Sequence, residues 1–160
     1  MKSFKKIISL TLALVLCASL CLPVFAEDDS EKLNYLVLGD SIANGYGLMN
    51  KRNAVYGKIV ADTNGYNYSN KSYGYGETTS SLYLTVTDNE NVRKLIRDAD
   101  IISISIGGND FLRGDMAGLI EEANNGDYSR FDEIAAEFYT NFCTIIEKIK
   151  AMATSPDEAN

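Results

Sequence analysis

The sequence has no histidine in its 160 residues. Histidine is the side chain whose ordinary pKa lies nearest neutrality, so no imidazole of this chain can act as a general base or proton shuttle. Any base drawn from the chain has to be a carboxylate, a weak base near neutral pH unless its surroundings perturb it strongly. Cysteine is scarce: Cys17 and Cys21 sit in an apolar N-terminal stretch, and Cys143 stands alone. Once that stretch is removed, no internal disulfide can form. Cys143 is then a free thiol, an intermolecular bridge or, most simply, a small apolar residue on a helix. Positive charge is also in deficit, with 15 Lys and Arg against 22 Asp and Glu and a net charge of −7. Lys2, Lys5 and Lys6 belong to the N-terminal stretch, so the remainder is more acidic still. Such a surface repels nucleic acid and anionic membranes. Internal repeats and low-complexity segments are absent.

The N-terminal stretch has three parts. A basic start is followed by an almost uncharged apolar run from Ile7 to Val24, and Val24-Phe25-Ala26 precedes the acidic Glu27-Asp28-Asp29. This is the pattern of a secretory signal peptide over 1–26, which predicts export and no stable membrane partner after cleavage. The rival is a retained N-terminal membrane anchor. The chain from 27 to 160 suffices for one domain and is too short for two.

Within that domain, Leu33 to Leu38 reads as a short buried strand running into the turn Gly39-Asp40-Ser41, and a polar, glycine-rich loop follows to Asn53. Ala54 to Ala61 predicts a short helix with Val55, Ile59 and Val60 on one side, and Tyr66 to Ser69 predicts an edge strand. A glycine loop from Lys71 to Gly76 leads to a helix capped at Thr78 or Thr79 and then to one capped at Asp88 or Asn89. In the second of these, Val92, Leu95, Ile96 and Ala99 share a face. Ile101 to Ile106, isoleucines with only serine between them, predicts a central parallel strand ending at Gly107-Gly108-Asn109-Asp110. Phe111 to Asn124 is expected to be helical, interrupted near Gly114 and Gly118. A long final helix, capped by Ser129, carries the apolar stripe Phe131, Ile134, Phe138, Phe142, Ile145 and Ile149. Strand and helix alternate, which implies an α/β fold with a doubly wound parallel sheet of about three strands.

In open sheets of this kind ligands bind at the carboxyl ends of the strands. Ser41 and the Gly107 to Asp110 turn both fall there. Ser41 is a candidate nucleophile. Its own N–H, the N–H of Gly76 and the side-chain amide of Asn109 are candidate donors to a developing oxyanion. Gly107 and Gly108 allow the backbone to come close to a ligand. The structural alternative is a pair of plain turns in which Asp40, Ser41 and Asp110 bond their own backbone.

Gly39-Asp40-Ser41-Ile42-Ala43-Asn44-Gly45-Tyr46-Gly47 resembles the first sequence block of the GDSL, or SGNH, hydrolase family. Gly76-Glu77-Thr78-Thr79 resembles the second, and Gly107-Gly108-Asn109-Asp110 after an apolar strand resembles the third. The resemblance covers about 33–150. It implies a flavodoxin-like sheet and a secreted esterase, lipase or acylhydrolase acting on acyl-ester, lipid or acetylated-carbohydrate substrates without cofactor or metal. Ser41 is then the nucleophile, and Gly76 and Asn109 complete the oxyanion hole. Asp40, Gly107 and Asp110 support the turns.

The sequence departs from the family pattern in two places. Gly74 competes with Gly76 for the second-block position, because Asn70 lies one residue too far from Gly76. The family's late Asp-x-x-His block, which carries the general base, has no counterpart in a chain without histidine. The expectation is therefore a partial SGNH domain over 27–160, close to inactive alone, with Glu77 and Asp110 as poor substitute bases. One alternative is a catalytically dead glycan- or acyl-binding protein of the same fold, using the cluster of Tyr66, Tyr68, Tyr73, Tyr75 and Tyr83. Another is a second chain that supplies the missing strands.

Overall fold

The computed structural model describes residues 31–154, so the leader expected at 1–26 lies outside the described residues. Three strands, β1 (Asn34–Gly39), β2 (Asn67–Ser72) and β3 (Ile101–Ser105), form one parallel sheet in the order β2-β1-β3. The helices between and after them are α1 (Lys51–Ala54), α2 (Tyr56–Asn64), α3 (Thr79–Asp88), α4 (Glu90–Arg97), α5 (Gly108–Leu112), α6 (Met116–Asn124) and α7 (Ser129–Thr154). The α/β class and parallel sheet expected from the element order are what the chain adopts.

β1 is the axis of the fold. Successive side chains of a strand point to opposite faces, and here both faces are covered. Leu36 and Leu38 pack with Leu82 and Val86 of α3, Val92 and Ile96 of α4, and Ile145 and Ile149 of α7. Tyr35 and Val37 face the other way, into a smaller cluster with Ala43 and Ala61. The last of these is on α2, which rides close to the sheet. A Cβ added at Gly57 would lie 2.6 Å from Val37 and 3.0 Å from the Tyr68 ring. Gly57 and Ala61, one turn apart, are the contact surface of that helix.

Five local expectations are corrected. β3 lies at an edge of the sheet, and β1 is central. The isoleucines of β3 still pack on both faces: Ile102 and Ile104, with Ile106 just beyond the strand, lie beside the larger cluster, and Ile101 lies beside the smaller one. On the latter face Ser103 is held by the hydroxyls of Tyr35, at 2.8 Å, and Tyr56, at 3.4 Å. The face of α2 is also different, since Ile59 and Val60 are exposed and the small residues are buried. The segment before it is not all loop, because 51–54 form a helical turn. Gly118 lies inside α6, so the only break in that region is near Gly114, whose φ of +126° no L side chain readily adopts. At the start of α7 the cap is supplied by Asp127, not Ser129. Its carboxylate accepts from the Ser129 N–H at 3.0 Å and hydroxyl at 2.6 Å, and these bonds hold its pKa below the ordinary value.

The other caps follow the sequence. Thr78 and Ser81 form a reciprocal capping box at α3, and the Asn89 side chain accepts from the N–H groups of Asn91 and Val92 at α4. β2 is the edge strand expected, extended to Ser72. The stripe on α7 packs against α3, α4, α5 and α6. Its aromatic part holds α5, with Phe111 5.0 Å from Phe131 and 6.4 Å from Phe138 between ring centres.

Candidate active site

The connection from β1 leads to β2 on one side, and that from β2 crosses to β3 on the other. The carboxyl ends of β1 and β3 therefore flank the point where the winding reverses, where ligands of such sheets sit. Three segments meet there: the turn after Gly39, the loop after Ser72 and the Gly107–Arg113 segment.

The first turn is fixed by backbone geometry. Gly39 has φ +132°, and a Cβ there would lie 2.0 Å from the Ser105 carbonyl oxygen. Only glycine allows β1 to approach β3 so closely. The next N–H, of Asp40, donates to that same carbonyl at 2.9 Å. The Asp40 carboxylate, buried, accepts from the Ile42 N–H at 3.0 Å, and the Ser41 carbonyl accepts from the Tyr46 N–H at 2.7 Å. Ser41 is held on a closed turn at the rim, half-buried.

The second and third segments are joined by side chains. Asn109 Nδ2 donates to the Glu77 carbonyl at 2.8 Å, which leaves the second N–H of that amide free. Asp110 accepts from the Thr79 N–H at 3.1 Å and from the Thr79 hydroxyl. Gly107 adopts φ +114°, and a Cβ there would meet the Phe138 ring at 2.7 Å. These contacts set α5 against α3 and α7 and fix the position of Asn109.

The result is a cleft of about 430 Å³ whose walls include Ser41, Gly74, Gly76, Gly108, Asn109 and Arg113. Among the described residues, neither the Ser41 N–H nor the Gly76 N–H donates to a protein acceptor. Gly74 lines the cleft as well, against the Asn44 side chain. Asn70 does not line it. Its amide ties β2 to the Ala43 carbonyl at 3.0 Å and the Tyr68 hydroxyl at 2.9 Å.

Glu77 and Asp110 are engaged by neighbouring side chains, and Asp40 lines the cleft. Burial raises the pKa of Glu77, against the lowering effect of the Ser81 and Thr85 hydroxyls and of Arg113, with Asp40 adding to the rise. Glu77 is not among the residues lining the cleft, and Asp110 is occupied by Thr79. The tyrosine cluster divides. Tyr66 and Tyr68 pack on Tyr35 with ring centres 6.1 and 6.2 Å away, and Tyr83 packs against the main core. Tyr75, 90% exposed, stands at the cleft together with Tyr46, 73% exposed. Leu112 and Arg113 also line the cleft, outside the motifs that mark Ser41, Gly76 and Asn109, and Tyr46 does so within the first block. The signal available for Arg113 was its spacing of four residues from Asn109 across one helical turn.

A parallel α/β sheet with a serine and an amide at adjoining strand ends defines the class. The model of the GDSL-like Lipase/Acylhydrolase family matches residues 37–157, and the chain belongs to that family. Among solved structures it is similar to the crystal structure of the lipase Lip_vut3 from goat rumen metagenome. The TM-score is 0.56 at 23% identity, over 76% of this chain and 58% of that one. The likeness shows a shared fold, and the chain spans 58% of that lipase's length. No curated protein matches significantly.

Proposed function

We propose that this chain carries the nucleophile and oxyanion hole of an exported serine ester hydrolase. The observation that carries this reading is the convergence in one cleft of Ser41, two N–H groups without protein acceptors and the free N–H of Asn109. Ser41 Oγ attacks the acyl carbonyl. The N–H groups of Ser41 and Gly76 and the Asn109 amide receive the charge that develops on its oxygen. The alcohol departs with a proton and leaves an acyl-serine, which water then hydrolyses. Export rests on the leader pattern of 1–26.

The serine proton needs an acceptor, and the chain has no imidazole. Loss of the base of a serine triad costs on the order of 10⁶ in turnover, with about 10³ to 10⁴ over water retained through binding and the oxyanion hole. The 160-residue chain by itself is therefore close to inactive, and its base comes from elsewhere. The test is hydrolysis of a chromogenic short-chain acyl ester by the purified chain, with and without added imidazole. The expected result is a near-background rate that imidazole raises, above its own background, in the wild type but not in Ser41→Ala. Rescue that persists in Ser41→Ala refutes the nucleophile. Fast imidazole-independent hydrolysis, lost in Ser41→Ala, refutes the missing base.

A second reading is binding without cleavage. The observation in its favour is the pair of exposed rings, Tyr46 and Tyr75, at the cleft, since exposed aromatic faces suit sugar rings. Glycan affinity that survives Ser41→Ala supports it.

A further inference from the structure

Arg113 lines the same cleft as Ser41, Gly76 and Asn109. Its guanidinium lies against Gly76, with its Nη2 end nearest. A Cβ built there would be 2.5 Å from Nη2 and 3.2 Å from both Cζ and Nε. Its backbone is anchored, because its N–H closes α5 on the Asn109 carbonyl at 3.0 Å. The cation is thus tied through one helical turn to the residue proposed as an oxyanion donor. Its charge acts on the buried Glu77 carboxylate, whose pKa it lowers against the effect of burial, but without a direct pairing contact. Arg93 and Arg97 pair with Glu90, and Arg130 pairs with Asp115 and Glu122. Arg113 has no ion pair or side-chain hydrogen bond among the described residues, although Glu137 lines the adjoining cleft and the chain carries a net charge of −7. An acidic protein has left a guanidinium with all its donors free beside its candidate nucleophile.

A guanidinium presents a planar fork of N–H groups that matches the two oxygens of a carboxylate or phosphate. We propose that Arg113 is a specificity-determining residue that selects acyl esters bearing a carboxylate or phosphate group near the scissile carbonyl. This rests on the reading of Ser41 as nucleophile. Arg113 sits beside the oxyanion position and serves substrate binding, so its removal weakens anionic esters and leaves neutral ones unchanged.

The test uses binding, which needs no base. The 160-residue chain is titrated with monobutyl succinate, the butyl ester of phosphoglycolate and neutral butyl butyrate, following the amide resonances of Ser41, Gly76 and Asn109 by NMR. At least one anionic ester is expected to bind about tenfold tighter than the neutral one, and the arm that does identifies carboxylate or phosphate. Arg113→Gln should abolish that preference and Ser41→Ala should keep it. Should Arg113→Gln not fold, the wild-type preference must still fall as salt is raised from low to physiological concentration. Equal affinity for all three esters, no binding of any, or a preference that survives Arg113→Gln overturns the proposal. Imidazole rescue of hydrolysis tests Ser41 separately, so the two failures are distinguishable.

Discussion

Asp110 is the side chain on which the geometry of the candidate site most depends without touching the cleft. Its carboxylate accepts from the N–H and hydroxyl of Thr79, a residue with 0% exposure at the start of α3. The first N–H groups of a helix have no partner within it. Here Thr78 satisfies Ser81 and Asp110 satisfies Thr79 from another element. In Asp110→Ala both donors of the fully buried Thr79 lose their acceptor. An unsatisfied buried donor costs about 1–3 kcal/mol, so the loss should be about 2–4 kcal/mol once relief of the carboxylate's own partial burial is counted. Asp110→Asn keeps one acceptor oxygen but sets an NH₂ group against a donor, and should lose about half as much. Urea unfolding followed by circular dichroism measures both, with an unchanged m-value as the check on two-state behaviour. In the cycle with Thr79→Val the coupling should be about 1–2 kcal/mol. A loss below about 0.5 kcal/mol in Asp110→Ala, or the same loss in the Thr79→Val background, would show that the bridge seen here does not hold the site.

Gly39→Ala should cost at least about 3 kcal/mol or prevent folding, through a positive φ and a clash with the Ser105 carbonyl; a melting temperature near wild type refutes the close approach of β1 to β3. Ile145→Ala should cost about 2–5 kcal/mol because its side chain is fully buried, whereas Ile59→Ala, 52% exposed, should cost less than about 0.5 kcal/mol. Equal losses in urea unfolding would contradict the face of α2 described above. Glu77 has a folded pKa above its ordinary 4.5, mainly through burial. The folded state therefore holds that proton more tightly than the unfolded state, and the resulting stability is present below the ordinary value and lost as pH rises through the folded one. Glu77→Gln should gain stability relative to wild type between pH 4 and 7, and a difference in melting temperature that is flat across that range refutes the shift.

Much of the chain was legible because its signals are local. Glycine at 39, an apolar run before it and polar turn residues after it announce a strand and a sharp turn from backbone preference alone. The caps at Thr78 and Asn89 and the stripe on α7 were likewise readable, since capping and helical periodicity act over a few residues. Three sequence blocks in order were enough to indicate the family. The face of α2 was misread for a physical reason. Periodicity ranks residues by apolarity, but a helix crossing a sheet at close range needs small side chains, and Gly57 and Ala61 outcompeted Ile59 and Val60. Ile101 to Ile106 was misplaced because an apolar run with small polar residues between suits a strand covered on both faces whether it is central or at the edge, and strand order is set by how the crossover helices pack rather than by the run itself.

By itself the sequence determined the order of strands and helices, the turn that presents Ser41, the family, and the absence of any imidazole. These depend on residue identity and short-range geometry. Only the tertiary structure decided that β1 is central, that Asp110 is committed to Thr79, that Asn109 is steadied by Glu77, and that Arg113 lies unpaired against Gly76. Each of these joins residues distant along the chain, and which donor meets which acceptor is set by how the helices pack on the sheet.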